Sequence, residues 1–262
     1  MYLGAVVSTR QVSAPPAFVR LTAHPLRWQL LTALAESDYR VRELVTLLDE
    51  PQNLLSYHLR LLRDGGLVGA TRSSYDGRDS YYHLDLDRCA EALAETGAAL
   101  HPSLHPTQHR GRTRRQPDRP ADVLFVCTGN SIRSPIAEAL LRHHGAASVR
   151  VTSAGTRPKP ELHPHTVRVL DERFGIDVTS QRPRGLTTLN RRRFDHVVTL
   201  CDRARETCPE FAHTPRRTHW SIRDPAATSG SARASYAVFQ QVAADIDTRI
   251  RHLLPSLGIH RH

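Results

Sequence analysis

Cys127 and Arg133 form a Cys-x5-Arg pattern inside CTGNSIRS, directly after the apolar run 122–126 and directly before an amphipathic stretch, 135–144. A strand, a small-residue loop and a helix make an anion cradle, because successive backbone N–H groups and the helix N-terminus converge on a tetrahedral oxyanion. A cysteine at the strand end would be held as thiolate by loop dipoles and the guanidinium, in the range of roughly 3.5–7.5 found for reactive cysteines. Arg133 can clamp two oxygens at once, which lysine could not. Gly129 permits close backbone approach. The expected oxyanion-binding loop is therefore Thr128, Gly129, Asn130, Ser131, Ile132 and Arg133. Two further cysteines, Cys201 and Cys208, lie seven apart in VVTLCDRARETCP. They are either a redox pair or two unrelated packed thiols.

The elements that must position these residues alternate as βα units: strands at 122–126, 149–153 and 196–200, helices at 135–144, 166–174 and 236–254. This predicts a doubly wound parallel sheet with its site at the strand ends. The preceding 100 residues read differently. Leu26, Leu30, Leu31 and Leu34 recur at helical spacing from Phe18 onward. A second helix is predicted over Val41–Leu48, with Leu44, Leu47 and Leu48 inward. Pro51 opens a third, bearing the stripe Leu55, Leu59 and Leu62 and stopped by Gly65-Gly66. Two β-rich runs, 67–72 and Ser80–Leu84, flank an Asp76-Gly77 turn, and a last helix covers 89–100. Helices followed by a basic hairpin make a winged helix-turn-helix. Off the leucine stripe of the third helix lie Gln52, Asn53, Ser56, Tyr57, His58 and Arg60, donors suited to base edges or phosphates; Arg72 and Arg78 sit on the wing for backbone contacts.

The whole chain has 262 residues, 36 Lys+Arg against 26 Asp+Glu, and a formal net charge of +10, which points to polyanionic partners. Lys159 is the only lysine. The stretch 101–120, dense in Pro, Gly, His and Arg, reads as a linker between a domain at 18–100 and one at 121–262, with a tail at 1–17. No apolar run reaches the ~20 residues of a membrane span, no secretory signal is visible, and four cysteines are too few for a disulfide scaffold. The expected location is cytoplasmic. The histidines show no metal spacing, so neither metal nor cofactor is expected.

Two resemblances follow. HPLRWQLLTAL, PQNLLSYHLRLLRDGGLV and DSYYHL resemble the opening helix, recognition helix and last wing strand of the ArsR family of bacterial repressors, over roughly residues 18–95. That likeness implies operator DNA as a partner and a homodimer through the winged-helix half. Arsenic-sensing members carry a cysteine pair at the start of the second helix. Here that place holds Tyr39-Arg40-Val41-Arg42-Glu43, and Cys89 reads as a buried small hydrophobe. Residues 121–256 resemble the low-molecular-weight tyrosine phosphatase fold and, through VVTLCDRARETCP and HWSIRDPA, its thioredoxin-coupled arsenate-reductase branch. The phosphatases place an aromatic residue after Asp-Pro, where this chain has Ala226.

The second resemblance implies arsenate as substrate and thioredoxin, or another dithiol donor, as reductant. It makes Cys127 the nucleophile, Asp224 the general acid, Cys201 and Cys208 the disulfide relay, Ser134 a donor to the thiolate and Asn130 the residue that pins the loop. Some members bind potassium beneath the loop. Asn130, Glu138 and Ser153 match that site, but its remaining carboxylate is absent, with Arg184-Gly185 nearby. Ile132 replaces a loop cysteine common in relatives. Two other readings stay open from sequence: a phosphatase with the same fusion, and a regulator that senses oxyanion or redox state without turnover.

Overall fold

The computed structural model describes residues 14–73, 75, 77–101, 104, 119–189, 192–209, 211, 216–227 and 231–259. Most of the expected linker, the first residues of the tail and Asp76 lie outside the described residues.

The helical stretch from Phe18 divides into α1 (Ala17–Thr22) and α2 (Pro25–Glu36). The break has a local cause: His24 Nδ1 accepts from Leu26 N at 3.2 Å and Pro25 occupies the first turn, so a new helix starts there. α3 (Val41–Leu48) opens with a reciprocal Arg40–Glu43 cap, and α4 (Gln52–Asp64) ends at Gly65-Gly66, with Gly66 at φ +74°. Leu44, Leu55, Leu59 and Leu62 are fully buried, but Leu47 is 53% exposed, against expectation. The inward stripe of α3 is Val41, Leu44, Val45 and Leu48, and that i, i+3, i+4, i+7 set leaves Leu47 to the side. β2 (Val68–Arg72) and β3 (Ser80–Leu84) pair antiparallel, and β1 (Tyr39–Arg40) joins β3 on its other side. α5 (Leu86–Leu100) begins earlier than its apolar pattern suggests, because Asp85 accepts from Arg88 N at 2.9 Å and caps it.

The second half is built on four parallel strands in the order β5-β4-β6-β7: β4 (Ala121–Cys127), β5 (Val149–Gly155), β6 (His196–Thr199) and β7 (Arg216–His219). Its helices are α6 (Arg133–Gly145), α7 (Pro164–Phe174), α8 (Asp202–Thr207) and α9 (Ala232–Leu253). The chain passes from β4 to β5 on one side and then returns to β6 on the other, so the crevice at the carboxyl end of β4 is where a ligand site is expected. Each half has its own buried apolar cluster, one around Val123–Val126, Ile136 and Phe239, the other around Leu30, Leu44 and Leu59.

The halves meet along β7, an outer strand. Asp38 N donates to His219 O (2.9 Å), His219 N to Ser37 Oγ (2.9 Å) and Thr218 Oγ1 to Glu36 O (3.1 Å). The Tyr81 ring meets His219 edge-on at 4.8 Å. No helix among the described residues is long and apolar enough to cross a membrane.

Candidate active site

Cys127 closes β4 and Arg133 opens α6, so the loop between them is pinned at both ends by regular structure. The loop's carbonyls are taken up on its outer side. Thr156 N, Arg157 N, Lys159 N and His163 N donate to the carbonyls of Cys127, Thr128, Gly129 and Ser131 at 3.1, 2.8, 2.9 and 3.0 Å. With the carbonyls turned out, the N–H groups are left for the inside, and Asn130 N donates to Cys127 Sγ at 3.3 Å. Asn130 adopts φ +45°, a conformation asparagine tolerates better than most residues. Its side chain is used fully: Nδ2 donates to Ser134 Oγ (2.9 Å) and Ser153 Oγ (2.8 Å), while Oδ1 accepts from Arg184 N (2.7 Å). Ser134 Oγ already accepts from Asn130, so its own hydrogen is available to Cys127 Sγ, 3.0 Å away. The sulfur is thus met by an amide N–H and by the Ser134 hydroxyl.

Arg133 is buried, its Nη1 donates to Ile222 O at 3.0 Å and its Nη2 to Asp224 Oδ2 at 3.0 Å. Burial works against its charge, but the Cys201 and Cys127 sulfurs and Asp224 more than offset it and raise its pKa. Its Nε is buried without a partner among the described residues, a donor that an oxyanion in the loop would satisfy. The segment carrying Asp224 follows β7, so three strand ends supply the site: Cys127 from β4, Cys201 after β6 and Asp224 after β7.

Cys201 and Cys208 flank α8, one at each end. Cys201 is buried and its Sγ lies 3.3 Å from Thr128 Oγ1, in the oxyanion loop itself. Burial pushes both thiols above their ordinary range, with Arg133 opposing at Cys201 and Arg217 at Cys208. α8 is tied to the N-terminal half by side chains: Arg205 to Glu43 (2.9 Å) and to Asp38 O (3.0 Å), and Glu206 to Arg40 (3.1 Å). Burial of Glu43 is outweighed by Arg40 and Arg205, which hold its carboxyl below the usual range.

Beneath the loop, Glu138 accepts from Ser153 Oγ and from Gln181 Nε2 (2.8 Å) and is ion-paired with Arg142. A guanidinium and two donors already satisfy the carboxylate that would face a potassium ion, so these residues do not fit a cation.

The sequence-based site residues are brought together with one addition and one displacement. The addition is Gly155 at the end of β5. A Cβ there would lie 2.7 Å from Thr128 O and 2.9 Å from Asn130 N, so the loop can pack on β5 only over glycine. Its signal in the sequence was a glycine directly after an apolar strand, in SAG. Gly129, by contrast, has ordinary φ, and its Cβ would meet only the Ser131 and Lys159 side chains, at 3.3 and 3.4 Å. The displacement concerns the N-terminal half. Gln52, Asn53, Ser56, Tyr57 and Arg60 share the exposed face of α4, and Arg72 and Arg78 are exposed on the wing. His58 is not with them. It is buried against His24, ring centroids 4.4 Å apart, and its pKa is lowered mainly by that burial. It packs the helix rather than facing DNA. Cys89 is half-buried, its thiol pushed up to about 11 by burial, as suits a packed hydrophobe.

Residues 122–261 match the family described as low molecular weight phosphotyrosine protein phosphatase, and residues 24–69 match the bacterial regulatory protein, arsR family. Curated relatives include an arsenate reductase of Shouchella clausii, 36% identical over 129 residues that make up 49% of this chain and 91% of the relative. An arsenate reductase of Bacillus subtilis is 34% identical over the same shares. A solved structure of an arsenate reductase in the phosphate binding state aligns with 52% of this chain and 98% of its own, at 28% identity and a TM-score of 0.46. The chain belongs to the low-molecular-weight phosphotyrosine protein phosphatase family and carries, ahead of that domain, an ArsR-family helix-turn-helix.

Proposed function

We propose that the chain, organised as 18–100 and 121–262 joined by a linker at 101–120, reduces arsenate to arsenite and binds operator DNA. The observation that carries the reduction is Cys201 Sγ set against the loop of Cys127, with Cys208 at the far end of the same short helix. Arsenate sits in the loop under Arg133. The Cys127 thiolate attacks arsenic, forming an S–As bond, and the departing hydroxide takes a proton from Asp224 and leaves as water. The Cys201 thiolate then attacks Cys127 Sγ. The S–As electron pair passes to arsenic, which leaves as arsenite, and a Cys127–Cys201 disulfide remains. Cys208 attacks Cys201, Cys127 departs as thiolate, and the Cys201–Cys208 disulfide is reduced by two electrons from thioredoxin or another dithiol donor.

The last exchange requires motion. Seven residues of helix span about 10.5 Å, whereas a disulfide needs Cα atoms roughly 4.4–6.8 Å apart. α8 must therefore unwind during turnover. Ala226, after Pro225, supplies no aromatic wall for a phenyl ester, which disfavours the phosphatase reading. For DNA, the exposed face of α4 enters the major groove, with Arg72 and Arg78 on the flanking backbone, as a homodimer through the winged-helix half.

The test follows NADPH consumption with arsenate, thioredoxin and its reductase, alongside aryl-phosphate hydrolysis. Arsenate-dependent turnover is expected, and Cys208→Ser should release one equivalent of arsenite and then stop. Aryl-phosphate hydrolysis as the main activity, untouched by Cys208→Ser, would overturn the reading.

A further inference from the structure

Asp38 belongs to the N-terminal half, between α2 and β1, yet its carboxylate is buried against the C-terminal half, with only 3% of the residue exposed. Arg249 Nη1 of α9 donates to both carboxylate oxygens, at 3.0 and 3.1 Å. Oδ2 also accepts from Ser221 N at 2.7 Å. Ser221 opens the segment that contains Ile222 and Asp224, the two residues that Arg133 binds. The Ser221 side chain is fixed as well, its Oγ donating to Asp202 Oδ1 at 2.8 Å beside Cys201. The loop around Cys127 takes its anchors elsewhere, from the 156–163 segment and Arg184, so Asp38 acts on one wall of the site and not on the cradle.

We propose that Asp38, supplied by the DNA-binding half, is a positioning residue of the reductase site: it fixes Ser221 N and thereby presents Asp224 to the oxygen that leaves arsenic. The bond is charge-assisted and shielded from water, so it holds its geometry better than a surface contact would. Arg249 is itself buried and pairs with the carboxylate there. A helix-turn-helix half joined only by a linker would touch no catalytic segment, and here it completes one.

The proposal rests on the arsenate-reduction reading, and the test separates the two. In the full chain, Asp38→Ala is expected to lower kcat for arsenate about tenfold, as displacement of a reacting group does. KM for arsenate and the Kd of inorganic phosphate should change less than threefold, because the main-chain cradle of 128–132 keeps its own anchors. Asp38→Asn keeps the volume and one acceptor for Ser221 N, and should fall between; it carries the comparison alone if Asp38→Ala does not fold. Asp87→Ala removes an exposed contact to Thr248 and His252 across the same boundary and should leave kcat unchanged. Loss of phosphate affinity in step with kcat would make Asp38 merely structural, and kcat within twofold of wild type in both Asp38 variants would also overturn the proposal. A wild-type chain that does not turn over arsenate refutes the underlying reading instead, and the same kcat comparison is then made with an aryl phosphate.

Discussion

The loop at Cys127 and the segment at Cys201–Cys208 serve one site but are held in opposite ways. The loop is fixed by main-chain bonds on its outer face and by an asparagine whose side-chain polar atoms are both engaged. α8 is six residues long, and the ties described for it to the N-terminal half run through side chains. A short helix gains little from its own hydrogen bonds, and ion pairs that keep some contact with solvent add about 1 kcal/mol or less each. An oxyanion site has to be ready before its ligand arrives, since reorganisation would be charged against the transition state. The disulfide relay proposed for α8 would have to come apart. The difference in anchoring follows the difference in task.

That contrast can be broken in several places. The largest effect is expected from Cys127→Ser, which removes the attacking sulfur: arsenate turnover should fall roughly a thousandfold or more while the thermal melt stays near wild type. Gly155→Ala comes next. Its Cβ would press on Thr128 O and Asn130 N, and moving the loop should cost about a hundredfold in kcat/KM; a loss below threefold would show that the loop is less tightly set than argued. Ser134→Ala removes one hydrogen-bond partner of the Cys127 sulfur and should slow single-turnover arsenite release by about tenfold.

The relay side predicts smaller and differently shaped effects. In the proposed relay Cys201 must lose its proton to attack, and burial raises its pKa. Single-turnover arsenite release should therefore keep accelerating as pH rises past about 8.5, the ordinary thiol value; a plateau below pH 8 would contradict this. Smallest of all, Glu43→Gln should loosen α8 by at most about 1 kcal/mol, read as faster amide exchange over 202–208 with the loop unchanged. The sign of the acid response follows from the lowered Glu43 carboxyl. Its contribution is complete above about pH 4.3, the unfolded value, and is lost as pH falls through the lower folded value.

What could be read in the sequence was what local pattern controls. Leucine spacing located α2 and α4, apolar runs located β4, β5 and β6, and Cys-x5-Arg between a strand and a helix located the tight loop that joins β4 to α6. Features set by distant packing were not legible. Nothing near His58 in sequence says that His24 lies over it, so a donor on the recognition helix looked available. Gly155 is special only because Thr128 and Asn130 pack on it. Asp38 carries no local signal, because its partners, Ser221 and Arg249, lie 183 and 211 residues away.

The way the two halves meet also bears on solubility. β7 is an outer strand, and an outer strand offers unpaired N–H and C=O groups to any other chain. Here residues 36–38 cover it: His219 O and His219 N are both taken, and Thr218 is hydrogen-bonded to Glu36. The helix-turn-helix half thus guards an aggregation-prone border. Cutting the chain between the two halves would lay that border bare, and a soluble C-terminal fragment would need it blunted by charge or proline, so the two halves are not freely exchangeable cassettes.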